Sequence, residues 1–464
     1  MNVTRETKMI KYDIAVVGGG PAGYMAAIKA ARLGAKTVLF EKSVVGGTCL
    51  NRGCIPTKTY LKTAEIIDHI RSAKQRGIML ASSDVTMNMS VAVNEKNKVV
   101  KQLTSGIAAL LKNNGVDVYR GEAKINADKT VGMGNEVFAV EKVILAGGSR
   151  AAKLNLPGMD SKRVLTSDEI LDIDHVPGDL VIVGGGVIGV EMACVFAAFG
   201  SRVTILELAD RLLPMLDSDV SLTIRKSLEK KDIIIHAGVK LEKVEELKNK
   251  ITVFTDKQHL MADYVLLSVG REPDLSAVSG IEIETERGRI KTDDAMRTSI
   301  DWIYAPGDIN GRSMLAHAAF AMGDVAAENA MGNYKTADLK YVPSCVYTTP
   351  EVGCVGLGEQ QAKETHDISI GLYPFRSNGR ALASGEAEGF VKVITDKRFG
   401  EVLGVHIVGP GAAEMINEAA SLMNAEVTAN EIAGYIHAHP TYSEAFMEAA
   451  ADSIGMCLHL PVKK

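Results

Sequence analysis

The chain has 464 residues, 46% of them hydrophobic, which is enough for several domains with sizeable cores. Its formal net charge of −5 argues against a basic surface that would bind nucleic acid or an acidic membrane. No apolar run approaches the ~20 residues that span a bilayer, and the segment before Tyr12 lacks the apolar core of a signal peptide. We therefore expect a cytoplasmic protein without nucleic-acid or membrane partners.

The first predicted unit is a strand, a glycine-rich turn, an alanine-rich helix and a second strand that ends at Glu41. Gly18, Gly20 and Gly23 interrupt the chain between the first strand and the helix. In such a unit the glycines let a dinucleotide pyrophosphate approach the helix N-terminus, and an acidic residue about 20 positions further accepts a hydrogen bond from a ribose hydroxyl. The pattern predicts a dinucleotide site.

A pair of cysteines, Cys49 and Cys54, follows this unit directly. Strained, accessible disulfides are the reducible ones, and a lasting structural disulfide is unusual in a cytosolic protein. Lys58 lies four residues after Cys54, so a helix here would place both on one face. A thiolate at a helix start near a lysine is stabilised. The segment predicts a dithiol that cycles between reduced and oxidised states.

Two alternatives remain for this pair, a structural disulfide and a metal site. Zinc sites of paired cysteines need a second pair of ligands elsewhere in the chain. The other cysteines are scattered, and we expect them to be buried apolar residues; they are Cys194, Cys345, Cys354 and Cys457. We expect no metal.

The same phosphate-binding pattern occurs a second time. A strand over residues 180–183 runs into Gly184, Gly186 and Gly189, and a second strand ends at Glu207. One such fingerprint is a weak signal, but two complete copies are a strong one. A carboxylate at the end of the second strand accepts from a ribose 2′-hydroxyl and repels a 2′-phosphate, which favours NAD over NADP, although the nearby Arg211 is a basic residue.

Near the C-terminus, residues 437–444 contain two histidines and a glutamate. Histidine titrates near neutral pH and can take the proton of a substrate thiol, and Glu444 can orient the ring of His439. The same two histidines could instead be metal ligands or surface residues, and the residues alone leave this open.

Taken together, these motifs resemble the pyridine nucleotide-disulfide oxidoreductases over almost the whole chain. Residues 298–308 resemble the second flavin-binding stretch of that family, and residues 314–317 resemble a segment under its flavin ring. The resemblance implies an α/β fold with two Rossmann-like domains, for FAD and NAD, and a C-terminal α+β interface domain. The implied segments are 1–150 for FAD, 151–275 for NAD, 276–341 completing the FAD site, and 342–464 for the interface.

The resemblance also assigns site residues. It makes the catalytic group Cys49, Cys54, His439 and Glu444, with His437 uninvolved. The implied FAD site is Gly18, Gly20, Gly23, Glu41, Lys42, Gly47, Thr48, Lys58, Ala123, Ser149, Asp308, Leu315 and Ala316. The implied NAD site is Gly184, Gly186, Ile188, Gly189, Glu191, Glu207, Val239 and Gly270. The chain departs from the family pattern at Gly147, where relatives carry threonine, and at Tyr442, where leucine is commoner.

The implied activity is flavin-dependent oxidation of protein-bound dihydrolipoamide, coupled to reduction of NAD⁺. It implies a homodimer with shared active sites, and a lipoyl-bearing partner from a 2-oxo acid dehydrogenase complex or the glycine cleavage system. The alternative is another FAD-disulfide reductase that acts on a different small disulfide or thiol with NAD(P)H. A C-terminal Cys-Cys pair, typical of mercuric ion reductase, is missing, and the paired cysteines argue against a soluble transhydrogenase.

Overall fold

The computed structural model describes residues 10–82 and 84–461. The expectation that no signal peptide precedes the first strand concerns residues 1–9, which lie outside the described residues. The chain divides into two compact units. Unit 1 comprises the described parts of Met1–Thr59, Val91–Ala152 and Arg271–Leu339, and unit 2 those of Tyr60–Ser90, Lys153–Gly270 and Lys340–Lys464.

The described residues combine alternating strands and helices with two long runs of strands, over residues 117–183 and 234–304. The α-helices of the described residues are α1 (Pro21–Arg32), α2 (Gly47–Arg52), α3 (Cys54–Ser72), α4 (Met89–Asn113), α5 (Val187–Phe199), α6 (Ser218–Glu229), α7 (Ala316–Ala330), α8 (Glu359–Thr365), α9 (Gly379–Ser384), α10 (Ala412–Asn424), α11 (Ala429–Gly434) and α12 (Glu444–Ser453). The strands are β1 (Ile10–Val17), β2 (Thr37–Glu41), β3 (Asp117–Arg120), β4 (Ala123–Ile125), β5 (Thr130–Met133), β6 (Glu136–Leu145), β7 (Ser149–Ala151), β8 (Val164–Thr166), β9 (Asp179–Val183), β10 (Arg202–Glu207), β11 (Ile234–Ala237), β12 (Leu241–Leu247), β13 (Lys250–Thr255), β14 (His259–Ala262), β15 (Tyr264–Leu267), β16 (Arg271–Pro273), β17 (Thr285–Glu286), β18 (Arg289–Ile290), β19 (Ile303–Tyr304), β20 (Ser344–Val346), β21 (Glu351–Gly356), β22 (Ile368–Pro374), β23 (Phe390–Asp396) and β24 (Val402–Gly409).

Unit 1 is built on one large sheet with strand order β3-β2-β1-β6-β5-β4, and β19 pairs with β6. Strand β1 lies parallel between β2 and β6, while β4, β5 and β6 form an antiparallel meander. Because both faces of a parallel sheet are covered, its central strands are largely apolar, and the last four residues of β1 are apolar and buried. The aromatic rings of Phe40, Tyr119 and Phe138 pack together in this core.

The described residues of unit 2 form three sheets. Strands β11-β10-β9-β15-β8 form a parallel sheet, β12-β13-β14 a small antiparallel one, and β20-β21-β24-β23-β22 a third sheet that is antiparallel. Apolar residues of α10 and α12, such as Ile416 and Phe446, pack with Val405 and Ile407 of β24 in one core. The predicted α/β class is therefore confirmed.

The predicted elements fall close to the observed ones. The first dinucleotide unit forms β1, α1 and β2, which ends at Glu41, and the second forms β9, α5 and β10, which ends at Glu207. The four-segment domain division stays a prediction, since each compact unit is assembled from several segments. Among the described residues, no helix has both the length and the apolar character needed to cross a membrane.

The expected burial of the remaining cysteines is right for two of them and wrong for two. Cys194 and Cys354 are buried, whereas Cys345 and Cys457 are only half buried. The Cys457 thiol donates to Glu448 Oε2 at 3.0 Å, so a polar partner holds it at the edge of the core.

A buried lysine holds three acidic side chains together in unit 2. Lys392 Nζ, on β23, lies 3.0 Å from Asp217 Oδ2, 2.9 Å from Asp219 Oδ2 and 2.6 Å from Glu359 Oε2. Burial opposes its charge, but the three carboxylates outweigh that effect and raise the pKa of Lys392. The ammonium group thus joins the start of α6, the start of α8 and β23.

Replacing Lys392 by Ala should destabilise the protein, because the three carboxylates would lose the buried cation that they share. We expect a loss at the lower end of the roughly 3–5 kcal/mol typical of a broken buried pair, since Asp219 and Glu359 keep some solvent access. Denaturant unfolding of the holoprotein measures it. Lys363→Ala, which removes an exposed partner of Glu359, is the control and should cost under about 1 kcal/mol; equal losses would contradict the prediction.

Candidate active site

The first glycine-rich turn is shaped by two close backbone approaches. Gly18 has φ +103°, and a Cβ atom on it would lie 2.1 Å from the carbonyl oxygen of Ala146. A Cβ on Gly23 would lie 1.8 Å from the carbonyl oxygen of Gly18. Only glycine fits at both positions, so α1 can begin directly above the end of β1 with its free amides at the turn.

Glu41 holds this turn from the end of β2. One carboxylate oxygen accepts from the Gly19 amide at 2.7 Å, and the other accepts from the Ser43 amide at 2.8 Å. The carboxylate is therefore fixed beside the turn, in the position from which an acidic residue meets a ribose hydroxyl.

The second turn repeats this geometry in unit 2. Gly184 has φ +108°, with its Cβ position 2.4 Å from the Ser268 carbonyl oxygen, and a Cβ on Gly189 would lie 2.0 Å from the Gly184 oxygen. Glu207 accepts from the amides of Gly185 at 2.6 Å and Ala209 at 2.7 Å. Glu207 thus binds the amide of the second glycine of the turn and the amide two residues after itself, as Glu41 does.

Open space lies at the start of α5. Gly186 precedes this helix, and a Cβ atom there would meet nothing within 4 Å, which leaves room for a pyrophosphate at the helix N-terminus. The Arg211 guanidinium donates to the carbonyl oxygens of Pro214 at 3.1 Å and Leu216 at 3.4 Å. It is thus engaged by the backbone of its own loop.

The remaining predicted NAD residues differ in burial and in their contacts. Ile188 lies in the first turn of α5, Val239 is buried, and Gly270 has φ +117° with nothing within 4 Å of its Cβ position. Glu191 is also buried, and its Oε1 accepts from the Tyr347 amide at 2.9 Å.

The cysteine segment crosses the first turn at contact distance. Gly46 donates its amide to the Gly19 carbonyl oxygen at 2.8 Å. A Cβ atom on Gly47, which has φ +58°, would lie 2.5 Å from Gly20 Cα. Helix α2 begins at Gly47 and carries Cys49, so the first thiol lies next to the dinucleotide turn.

The two cysteines face each other across a break between helices. Cys49 lies in α2, and Cys54 is the first residue of the 19-residue helix α3, with Gly53 between the two helices. Cys49 is half buried and Cys54 is exposed.

Electrostatics distinguish the two thiols. The hydrogen bond to Cys54, followed by burial, raises the pKa of Cys49, and the positive charge of Lys58 opposes this rise. Negative charge on Cys54 is stabilised by the N-terminus of α3. The arrangement favours a thiol at Cys49 and a thiolate at Cys54.

A hydrogen-bond chain joins three predicted FAD residues through Arg271, which sequence reasoning missed. The Arg271 guanidinium donates to Ser149 Oγ at 2.8 Å, to the Ser149 carbonyl oxygen at 2.7 Å and to Thr48 Oγ1 at 3.2 Å. Ser149 Oγ in turn donates to Asp308 Oδ2 at 2.5 Å. The available signal was the arginine that directly follows Gly270, but its partners lie more than 100 residues away in sequence.

Lys42 is held by a residue that was not predicted. Its Nζ lies 2.7 Å from Asp274 Oδ2, and the Asp274 amide donates to the Gly148 carbonyl oxygen at 3.0 Å. A Cβ on Gly147 would lie 2.8 Å from the Asp274 carbonyl oxygen. The glycine that departs from the family pattern therefore gives Asp274 the space to approach Lys42.

Three further predicted residues lie at the ends or edges of elements in unit 1. Leu315 caps the start of α7, Ala316 is the first residue of that helix, and Ala123 begins β4 with its side chain buried. All the predicted FAD residues thus belong to unit 1, together with both cysteines. The predicted NAD residues and His439 belong to unit 2.

The predicted base is an exposed histidine bound to one carboxylate. His439 Nδ1 lies 2.7 Å from Glu444 Oε1, and 77% of the His439 side chain is exposed. Glu444 Oε2 accepts from the Thr441 amide at 2.8 Å. Partial burial tends to raise the pKa of Glu444, but the hydrogen bonds that Thr441 and His439 donate to the carboxylate outweigh this effect and lower the pKa. The contact to Glu444 occupies Nδ1 and not Nε2.

The geometry can be compared with known proteins. The model of the family described as pyridine nucleotide-disulphide oxidoreductase matches residues 12–323, and the model of that family's dimerisation domain matches residues 342–450. A dihydrolipoyl dehydrogenase of Bacillus subtilis is 39% identical over 96% of this chain and 99% of its own length. One from Haloferax volcanii is 40% identical over 96% of this chain and 97% of its own length.

Solved structures agree with these matches. The HOCl-induced flavoprotein disulfide reductase RclA of Escherichia coli has a TM-score of 0.86 at 30% identity, covering 95% of this chain and 99% of that one. LpdA from Mycobacterium tuberculosis has a TM-score of 0.88 at 26% identity, with the same coverage of both chains.

Replacing Asp274 by Asn should loosen FAD, because it removes the charge that ties Lys42, the neighbour of Glu41, to the segment carrying Arg271. Asn keeps an acceptor for the Ser276 amide, which bonds to Asp274 Oδ1 at 3.1 Å. We expect FAD to dissociate about fivefold faster at low salt, corresponding to about 1 kcal/mol. The fluorescence of released FAD measures the rate.

High salt should abolish the difference in FAD release rate between Asp274→Asn and the wild type, because salt screens a partly exposed ion pair. Glu284→Gln, which breaks the exposed pair with Lys291 in the same unit, is the matched control. If Asp274→Asn and the wild type release FAD at the same rate and with the same dependence on salt, the ion pair between Lys42 and Asp274 does not restrain the cofactor.

Proposed function

Because the chain belongs to the pyridine nucleotide-disulphide oxidoreductase family, we propose that it is an NAD-dependent dihydrolipoyl dehydrogenase. It oxidises protein-bound dihydrolipoamide to lipoamide and reduces NAD⁺. The observation that carries the proposal is the Cys49–Cys54 pair: Cys54 begins α3, and the residues shortly before Cys49, Gly46 and Gly47, contact a dinucleotide turn. Full-length relatives named dihydrolipoyl dehydrogenase, at 38–40% identity, support the substrate.

The cofactors are FAD and NAD, and the two glycine-rich turns fit them. Bound FAD supplies the route by which two electrons of the dithiol reach NAD⁺. The Glu207 carboxylate, fixed by two amides, accepts from a 2′-hydroxyl and disfavours a 2′-phosphate. Arg211 is held by backbone carbonyls, which supports NAD over NADP.

The dithiol step uses the protein's own groups. His439 Nε2 takes the proton of a dihydrolipoamide thiol, and Glu444 stabilises the resulting imidazolium. The substrate thiolate attacks Cys49 Sγ, so a substrate–Cys49 bond forms, the Cys49–Cys54 bond breaks and Cys54 leaves with the electron pair. The start of α3 stabilises that thiolate.

The second substrate thiol completes the exchange. It loses its proton and attacks the substrate sulfur bonded to Cys49, so the ring of lipoamide closes and Cys49 departs as a thiolate that takes up a proton. The pair has then gained two electrons, and both Cys49 and Cys54 are reduced.

We further propose a cytoplasmic homodimer in which His439 serves the cysteine pair of the other subunit. The match of residues 342–450 to a dimerisation domain supports association, and a two-fold dimer gives two equivalent shared sites. A cycling dithiol suits a compartment that keeps thiols reduced. The lipoyl group comes from a carrier protein of a 2-oxo acid dehydrogenase complex or of glycine cleavage.

Anaerobic reduction of the holoenzyme tests the function. Dihydrolipoamide should reduce the flavin and NAD⁺ should reoxidise it, whereas Cys49→Ser should abolish dihydrolipoamide turnover. Cys49→Ser should keep the long-wavelength absorbance of a thiolate beside the flavin, and Cys54→Ser should lose it. His439→Gln should slow the dithiol half-reaction by roughly 10²–10⁴-fold, with reduction by NADH much less affected.

Cys345→Ser, at another half-buried cysteine, is the control and should turn over dihydrolipoamide normally. Near-normal turnover in Cys49→Ser would refute the mechanism. Reduction by NADH but not by dihydrolipoamide, with transfer to another small disulfide, would favour the alternative reductase, for which the similarity to RclA is the supporting observation.

Replacing Glu207 by Gln should narrow the preference for NAD⁺ over NADP⁺, because a neutral amide no longer repels a 2′-phosphate. Loss of a charged hydrogen bond is worth about 1.5–3 kcal/mol, which corresponds to roughly 10–100-fold in the ratio of kcat/KM values. Asp210→Asn removes the same charge from an exposed neighbour and is the control. A wild-type enzyme that works better with NADP⁺ would overturn this assignment.

A further inference from the structure

His437 lies two residues before the proposed base, in very different surroundings. Its Nε2 lies 2.9 Å from Glu418 Oε1 on α10, and its Nδ1 lies 3.2 Å from the carbonyl oxygen of Tyr435. Only 8% of its side chain is exposed, against 77% for His439. Both ring nitrogens of His437 therefore face an acceptor in a largely enclosed position.

Two acceptors fix the protonation state of the ring. A neutral imidazole has one N–H and one acceptor nitrogen, so it satisfies only one of these partners. The doubly protonated ring donates to both, and it places a positive charge beside the Glu418 carboxylate. The hydrogen bond that His437 donates to Glu418 raises the pKa of His437; burial opposes this rise, and the Tyr435 carbonyl and the charges of Glu418 and Glu444 assist it.

The charged ring ties down one end of the segment that carries the base. Helix α11 ends at Gly434 and α12 begins at Glu444, so residues 435–443 form the connection. Glu444 fixes His439 from the α12 side of this connection. On the α11 side, Glu418 reaches across from α10 and holds His437. Ile436, which directly precedes His437, is fully exposed.

We propose that His437 is a positioning residue for the base, whose imidazolium pins the connection to Glu418 so that His439 is presented in one orientation. The inference rests on the proposed function, since it assigns His439 to the dithiol step. Its consequence is that the dithiol step depends on a proton that His437 itself never transfers.

The sign of the pH dependence follows from the raised pKa of His437. The anchor is complete at low pH, and it is lost as pH rises through that pKa. The groups that face the ring are Glu418 from α10, the carbonyl of Tyr435, and Glu444 from α12. We therefore expect the dithiol half-reaction to fall on the alkaline side, because His437 becomes neutral there and can no longer donate to both acceptors.

Stopped-flow reduction of the holoenzyme by dihydrolipoamide, from about pH 6 to about pH 9, tests the proposal across the range where histidines titrate. Glu418→Gln removes the largest cause of the raised pKa of His437, so the alkaline fall should move to lower pH. His437→Gln keeps one donor but no titrating charge, so its rate should be about tenfold lower and the alkaline fall should be missing. Reduction by NADH should be unchanged in both variants.

His459→Gln is the matched control, because His459 also pairs with a glutamate, Glu448, at 2.5 Å and also has a raised pKa. It should leave the pH profile of the dithiol step as in the wild type. A wild-type profile in His437→Gln, or an equal change in His459→Gln, would overturn the proposal.

Thermal unfolding separates this inference from the proposed function. His437→Gln should lower the Tm more at about pH 6 than at about pH 9, because the ion pair stabilises the fold only while His437 is protonated. If the wild type fails to react with dihydrolipoamide, the proposed function falls, and the Tm difference still reports the charge of His437. A Tm loss independent of pH would show that His437 is not charged and would end the proposal.

Discussion

The contact between two glycine turns, at Gly20 and Gly47, is the constraint on which the rest of the site depends. The Gly46 amide binds the Gly19 carbonyl oxygen at 2.8 Å, and the space between the turns is too small for any side chain at Gly47. A backbone contact of this kind has no rotamers, so the start of α2 is fixed to the dinucleotide turn. The position of Cys49 in α2 is therefore set by the contact between α2 and the dinucleotide turn.

Two similar turns carry out different tasks because their neighbours differ. In each, a carboxylate at the end of the second strand binds two amides and fixes the ribose side of the turn. The first turn is followed by the cysteine segment and by the chain from Thr48 through Arg271 and Ser149. The second leaves open space at Gly186. One turn thus becomes part of a redox centre, while the other can hold an exchangeable nucleotide.

Much of this architecture could be predicted from the sequence, because its determinants are local. Gly18, Gly23, Gly184 and Gly189 are the residues that a sharp strand-to-helix turn requires, and the position of Cys54 at a helix start followed from the residues around it. The partners of Arg271, Lys42 and Lys392 could not be predicted, since each pairing joins distant parts of the chain and depends on packing. For example, 232 positions separate Lys42 from Asp274.

The same limit applied to the two histidines near the C-terminus. In the sequence His437 and His439 have similar neighbours, and only the resemblance separated them. In the structure the number of acceptors separates them. His439 has a carboxylate on one nitrogen and exposes the ring, so its other nitrogen can take a proton from a substrate. His437 has an acceptor on each nitrogen and little exposure. A ring that donates from both nitrogens cannot act as a base, but it can hold in place the chain that carries one.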